Sequence, residues 1–135
     1  RYAEQVVANA RVMAQELSES GLRLVSGGTD NHLLLVDLNP LDITGRDAEA
    51  ALQEVGIIAN KNAIPFDTKP PRVTSGLRLG TPAITSRGFK QEETRQVAQL
   101  IVQTLAGIED EKVKKRVAEA VKDLTSKFPV PGLDL

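Results

Sequence analysis

Leu22-Arg23-Leu24-Val25-Ser26-Gly27-Gly28-Thr29-Asp30-Asn31-His32-Leu33-Leu34-Leu35-Val36-Asp37-Leu38 (22–38) reads as two strands joined by a turn. Residues 22–25 make a short strand, and the 26–31 connection is crowded with Ser, Gly, Thr, Asp and Asn, the residues that make turns. A second strand runs over 32–38. Its unbroken Leu33-Leu34-Leu35-Val36 run predicts burial on both faces.

Upstream, Tyr2, Val6, Ala10, Met13 and Leu17 recur at spacings of four, four, three and four, the period of an amphipathic helix. That helix ends near Ser20, because Gly21 accepts the left-handed conformation that follows a helix. Downstream, Pro40 closes the second strand. Thr44 with Asp47 makes a capping-box-like start for a helix that carries Ala48, Leu52 and Val55 on one face and stops at Gly56. Ile57, Ile58 and Ala59 suggest a brief third strand, and Gly76–Gly80 a fourth. Two helices finish the chain. One spans 90–106 with Val97, Leu100, Ile101 and Leu105 inward. The other spans 110–127 with Val113, Val117, Val121, Leu124 and Phe128 in register, before Pro129 and Pro131 end regular structure. The order is helix, strand, strand, helix, strand, strand, helix, helix. It predicts one α/β domain over 1–135, an α+β two-layer sandwich with helices on one face of a small mixed or antiparallel sheet.

With 135 residues, 41% apolar and 26% charged, the chain has the composition of a globular domain. Tyr2, Phe66, Phe89 and Phe128 are the only aromatics, so Leu, Val, Ile and Ala must build the core. The net charge is −1. The densest basic cluster, Lys112, Lys114, Lys115 and Arg116, is flanked by acids and reads as a solvated helix face rather than a nucleic-acid patch. Without cysteine there is no disulfide, thiolate nucleophile or sulfur-ligated metal. No apolar run approaches the ~20 residues of a membrane span. There is no signal-peptide pattern, and Arg1 opens directly into a helix, as expected of a piece of something longer.

Chemistry has few places to reside. Residues 60–75 carry Pro65, Pro70 and Pro71 with little periodicity, together with Asn60, Lys61, Asn62, Asp67, Lys69 and Arg72. Irregular connections this long are functional or disordered more often than short ones; an ordinary surface loop fits equally well. In the fourth strand, Leu77 and Leu79 share one face and Arg78 takes the other. A planar guanidinium between Gly76 and Gly80 suits a carboxylate, which it meets with two parallel hydrogen bonds. A solvent-facing arginine on an edge strand is the plainer alternative. His32, the lone histidine, reads as a hydrogen-bonded structural residue. The amides of Ser26-Gly27-Gly28-Thr29 could in principle cradle a phosphate, but the stretch matches neither a P-loop nor GxGxxG and reads as a hairpin turn. No carboxylate pair or nucleophile–base set stands out.

Several motifs nevertheless follow one another in a specific order. They are Ser26-Gly27-Gly28-Thr29-Asp30-Asn31-His32 with Asp37, Thr44-Gly45, Asn60-Lys61-Asn62 with Ile64-Pro65, and Thr74-Ser75-Gly76-Leu77-Arg78-Leu79-Gly80-Thr81-Pro82-Ala83 with Thr85 and Arg87-Gly88-Phe89. The series resembles the small C-terminal domain of serine hydroxymethyltransferases, from the first helix to Phe128-Pro129. The resemblance implies the aspartate-aminotransferase (fold type I) small domain, part of a homodimeric or tetrameric, cytoplasmic enzyme. That enzyme interconverts serine and glycine with tetrahydrofolate. Its pyridoxal phosphate is bound mainly by a large domain that this chain lacks, through a lysine that is not Lys61. By the same resemblance Arg78 binds the carboxylate of serine or glycine, Asn62 bonds the pteridine of the folate, and Pro70-Pro71-Arg72 lie along it. Arg72 stands where many relatives carry an aromatic. No catalytic residue falls in this stretch, and the chain alone should be inactive. Its partners would be its own large domain and a second subunit, with no nucleic acid and no membrane. Two other readings stay open: a stand-alone binding module derived from such an enzyme, and another pyridoxal-phosphate enzyme of the same fold.

Overall fold

The first helix, α1 (Tyr2–Glu19), buries Val6, Ala10, Met13 and Leu17 along one stripe, as the spacing predicts. It ends at Gly21, whose φ is +95°. There the Gly21 amide donates to the Ser18 carbonyl and the Leu22 amide to the Leu17 carbonyl, the paired bonds that satisfy a helix's last carbonyls. The computed structural model describes residues 2–25, 33–80 and 88–127. The 26–31 turn, His32, residues 81–87 of the long motif, and Phe128, Pro129 and Pro131 lie outside the described residues.

Four strands form one antiparallel sheet in the order β1 (Arg23–Leu24), β2 (Leu33–Asp37), β4 (Gly76–Gly80), β3 (Asn60–Asn62). Of the mixed and antiparallel sheets the pattern allowed, the antiparallel one forms. Leu34 pairs with Leu79 and Val36 with Leu77, all four buried. Their face meets α1 and α2 (Gly45–Glu54); α3 (Gln91–Ala106) packs on α1 and α2, and α4 (Glu111–Lys127) packs on α3 and α2. Among the described residues, helices therefore cover one face only. Leu35, opposite Arg78 on the other face, is only half-buried, so the expectation of a strand buried on both sides fails. An apolar run cannot by itself distinguish the two cases.

The third strand is also displaced. The expected Ile57-Ile58-Ala59 segment is the exit of α2, where the Gly56 amide donates to Gln53 and the Ile57 amide to Leu52. Gly56 is left-handed there, with φ +91°. Ladder pairing begins only at polar Asn60. Edge strands are often polar, because an apolar edge invites association.

At its other end α2 begins as predicted, the Thr44 hydroxyl accepting from the Asp47 amide at 3.1 Å. Its first free amides are used too: Gly45 donates to the Thr74 carbonyl and Arg46 to the Val73 carbonyl, each at 3.0 Å. This brings the helix start against the entry to β4. A Cβ on Gly45 would lie 2.2 Å from the Thr74 hydroxyl and 2.4 Å from the Gly76 carbonyl oxygen.

The basic cluster on α4 is not uniformly solvated. Lys112, Lys115 and Arg116 are exposed, whereas Lys114 is buried and reaches Glu111 at 3.2 Å and Glu54 of α2 at 3.4 Å. The Glu111 carboxylate, joined by Glu54, outweighs burial and holds the Lys114 ammonium above its ordinary pKa. That ion pair is the charged tie between α4 and α2.

Gly45→Ala should lower the unfolding free energy by about 3 kcal/mol, at the upper end of overpacking costs. Gly21→Ala, which meets open space, should cost about 1 kcal/mol through its left-handed backbone. Urea denaturation of both variants checks this. A Gly45→Ala cost below that of Gly21→Ala would mean the helix–strand junction is looser than described.

Candidate functional site

Register decides what the open face of the sheet presents. Arg78 pairs with Leu35 on one side and Asn60 on the other, and Gly76 pairs with Asn62. Directly paired residues, and those two further along, share a face. Arg78, Asn60 and Asn62 therefore stand together on the face away from the helices, with Asn62 diagonal to Arg78. Arg78 is exposed and has no ion-pair partner among the described residues. The nearby carboxylate of Asp37 is taken: it is ion-paired to Arg23 and accepts from the Asn39 amide at 2.9 Å. A guanidinium left in this state is available to an external carboxylate.

Asn62 is half-buried, its Nδ2 donating to the adjacent Ala63 carbonyl at 2.9 Å. Gly76, across from it, cannot be larger, since a Cβ would come within 2.5 Å of the Asn62 carbonyl oxygen and 2.7 Å of Ile64 Cγ2. Lys61, between the two asparagines, pairs with Leu77 and so faces the helices; its ammonium lies 3.6 Å from Glu49 of α2. Pro70, Pro71 and Arg72 are exposed at the outer bend of the connection.

That connection is far from unstructured, which corrects the expectation for 60–75. Residues 60–62 are strand. Ile64-Pro65-Phe66-Asp67 form a turn closed by the Asp67 amide donating to the Ile64 carbonyl at 3.1 Å. Phe66 has φ +59° at the turn position that glycine usually takes, and is fully exposed. The Val73 and Thr74 amides both donate to the Pro70 carbonyl at 2.9 Å, and buried Thr74 also has φ +59°. A β-branched residue in the left-handed region is an outlier that its surroundings must hold in place.

The centre of this segment is Asp67. Its carboxylate accepts from the amides of Ile64 at 3.2 Å, Lys69 at 2.9 Å and Ser75 at 2.8 Å, and from the Ser75 hydroxyl at 2.8 Å. The Lys69 ammonium donates to Ser75 Oγ at 3.0 Å and to Asn39 Oδ1 at 2.8 Å. Burial alone would raise the Asp67 pKa. The Lys69 and Ser75 amides, with the Ser75 hydroxyl and the Ile64 amide, overcome it and lower the group to about 2. Sequence reasoning gave Asp67 and Ser75 no role. The available signal was an Asp placed between prolines with a residue two further on to cap, the pattern of an Asx-turn.

Residues 1–101 match the family described as serine hydroxymethyltransferase. The chain belongs to the serine hydroxymethyltransferase family. The match ends within α3, takes in both asparagines, Asp67 and Arg78, and leaves α4 beyond it. Serine hydroxymethyltransferases are transferases that use pyridoxal phosphate and tetrahydrofolate. The lysines described near this face do not suit that cofactor. Lys61 is turned to the helices and the Lys69 ammonium is taken up by Ser75 Oγ and Asn39 Oδ1. What this face suits is a carboxylate. No helix among the described residues is long and apolar enough to cross a membrane.

The depressed Asp67 pKa sets a sign. Its contribution to stability is fully present above the ordinary 3.8 and is lost as pH falls through about 2. A nuclear magnetic resonance titration of the Ser75 amide should show its midpoint near 2. A midpoint near 3.8 would mean that the four bonds do not persist in solution.

Proposed function

We propose that this chain supplies the substrate-carboxylate clamp and part of the folate wall of a serine hydroxymethyltransferase. The reaction is the reversible conversion of serine and tetrahydrofolate to glycine and 5,10-methylenetetrahydrofolate. The observation that carries the reading is the shared open face: an uncommitted guanidinium and a polar amide, set diagonally on adjacent strands.

Arg78 would hold the amino-acid carboxylate by a two-bond fork. Two bonds fix a plane as well as a position, so the arginine also sets how the α-carbon is oriented for reaction. Pyridoxal phosphate, when bound, supplies the electron sink for bonds broken at that carbon. It would be held mainly by a separate large domain, which is why the chain alone should be inactive. Asn62 both donates and accepts, which suits a pteridine edge carrying both kinds of group. Pro70, Pro71 and Arg72 would line the folate beyond it. Amino acid and folate must meet for the one-carbon unit to pass between them, and the adjacency of Arg78 and Asn62 supports that arrangement. The partners proposed are the chain's own large domain and a second subunit, in a cytoplasmic homodimer or tetramer.

Asn62→Ala in the complete enzyme separates the two halves of the site. Folate KM should rise about tenfold, the worth of one or two neutral hydrogen bonds. Glycine affinity and folate-independent cleavage of a 3-hydroxy amino acid should persist. Loss of glycine binding with folate binding intact would show that Asn62 does not face folate.

A further inference from the structure

We infer that Asp67 is a positioning residue that sets the spacing between Asn62 and Arg78, and with it the distance at which folate is held from the amino acid. The inference rests on the folate and carboxylate roles proposed above. Its support is geometric. The last ladder pair between β3 and β4 is Asn62 with Gly76. Just past that pair the chains would be free to separate. There the Asp67 carboxylate takes the Ile64 amide on one side and the Ser75 amide and hydroxyl on the other. One side chain thus staples the exit of the asparagine strand to the entry of the arginine strand. Its bond to the Lys69 amide also shapes the bend leading to Pro70-Pro71-Arg72.

Two features point to positioning rather than plain stability. The bonds hold Phe66 and Thr74, next to the tie points, in left-handed backbone that neither residue prefers. Moreover, the carboxylate's charge is met by backbone amides and a hydroxyl. All four contacts are donors, so an acceptor-only group is required. Asparagine has the same shape, but one of its two head atoms would turn N–H donors toward N–H donors.

The test compares Asp67→Asn, Ser75→Ala and Asn62→Ala in the complete enzyme, reading folate KM, kcat and the glycine dissociation constant. Asp67→Asn should raise folate KM about tenfold, from the loss of about two hydrogen bonds. Ser75→Ala, which keeps its amide bond, should raise it about threefold. Glycine affinity should stay within about twofold in both, because Arg78 is held mid-sheet by Leu35 and Asn60. Native folate KM in a folded Asp67→Asn variant overturns the inference. So does a proportional loss of glycine and folate affinity, the mark of general loosening. Should Asp67→Asn fail to fold, Ser75→Ala decides by the same criterion. If Asn62→Ala raises folate KM while the other two leave it unchanged, only the role of Asp67 fails. If Asn62→Ala leaves it unchanged, the folate reading fails and this inference with it.

Discussion

The antiparallel pairing of β2 with β4 is the constraint on which the rest depends. Side chains alternate along a strand, so once Leu77 and Leu79 are buried against the helices beside Leu34 and Val36, Arg78 has to point the other way. A slip of one residue would place a guanidinium in the core and two leucines in water, and such a slip is strongly opposed. The hydrophobic effect that fixes the fold therefore also aims the arginine. Gly45 and Gly76 extend the same logic. Both sit where backbone and side chains crowd too closely for a Cβ, and they let α2 and β3 close onto the entry of β4.

Much of this was legible in the sequence because it rests on period and punctuation. The Tyr2-to-Leu17 spacing gave α1, Thr44 and Asp47 gave the start of α2, and Leu77-Arg78-Leu79 gave both the strand and the outward arginine. Each of these is a local pattern with a direct physical cause. Where the pattern was composition without period, it misled. Ile57-Ile58-Ala59 looks like a strand, but Gly56 ends α2 with backbone bonds that carry the chain straight through those residues. The run at 33–36 looks doubly buried, yet nothing in it reveals that, among the described residues, helices cover one face only.

The candidate site divides in the same way. Arg78 follows from alternation, and Asn62 came from resemblance to a family. Asp67 followed from neither, because three of its four contacts are backbone amides, at three distances along the chain, and amides have no sequence identity. Residues 64–75 seemed irregular because their order comes from hydrogen bonds to one carboxylate, that of Asp67, and to the Ile64 and Pro70 carbonyls, none of which leaves a period in the sequence. Lys114 teaches a related lesson. Its neighbours in sequence marked it as solvated, and only the approach of Glu54 across the α2–α4 contact shows otherwise.

The central claim is that Arg78 reads the amino-acid carboxylate through a two-bond fork, and Arg78→Lys tests it more directly than removal of the side chain. Lysine keeps the charge but not the planar pair of donors. The measurement is glycine binding to the complete enzyme at equilibrium. Charge-assisted hydrogen bonds are worth about 1.5–3 kcal/mol each, so loss of the fork should weaken glycine by about a hundredfold or more. Glycine affinity within about threefold of the parent enzyme would contradict the account, since charge alone would then suffice and the orientation of Arg78 on the open face would carry no weight.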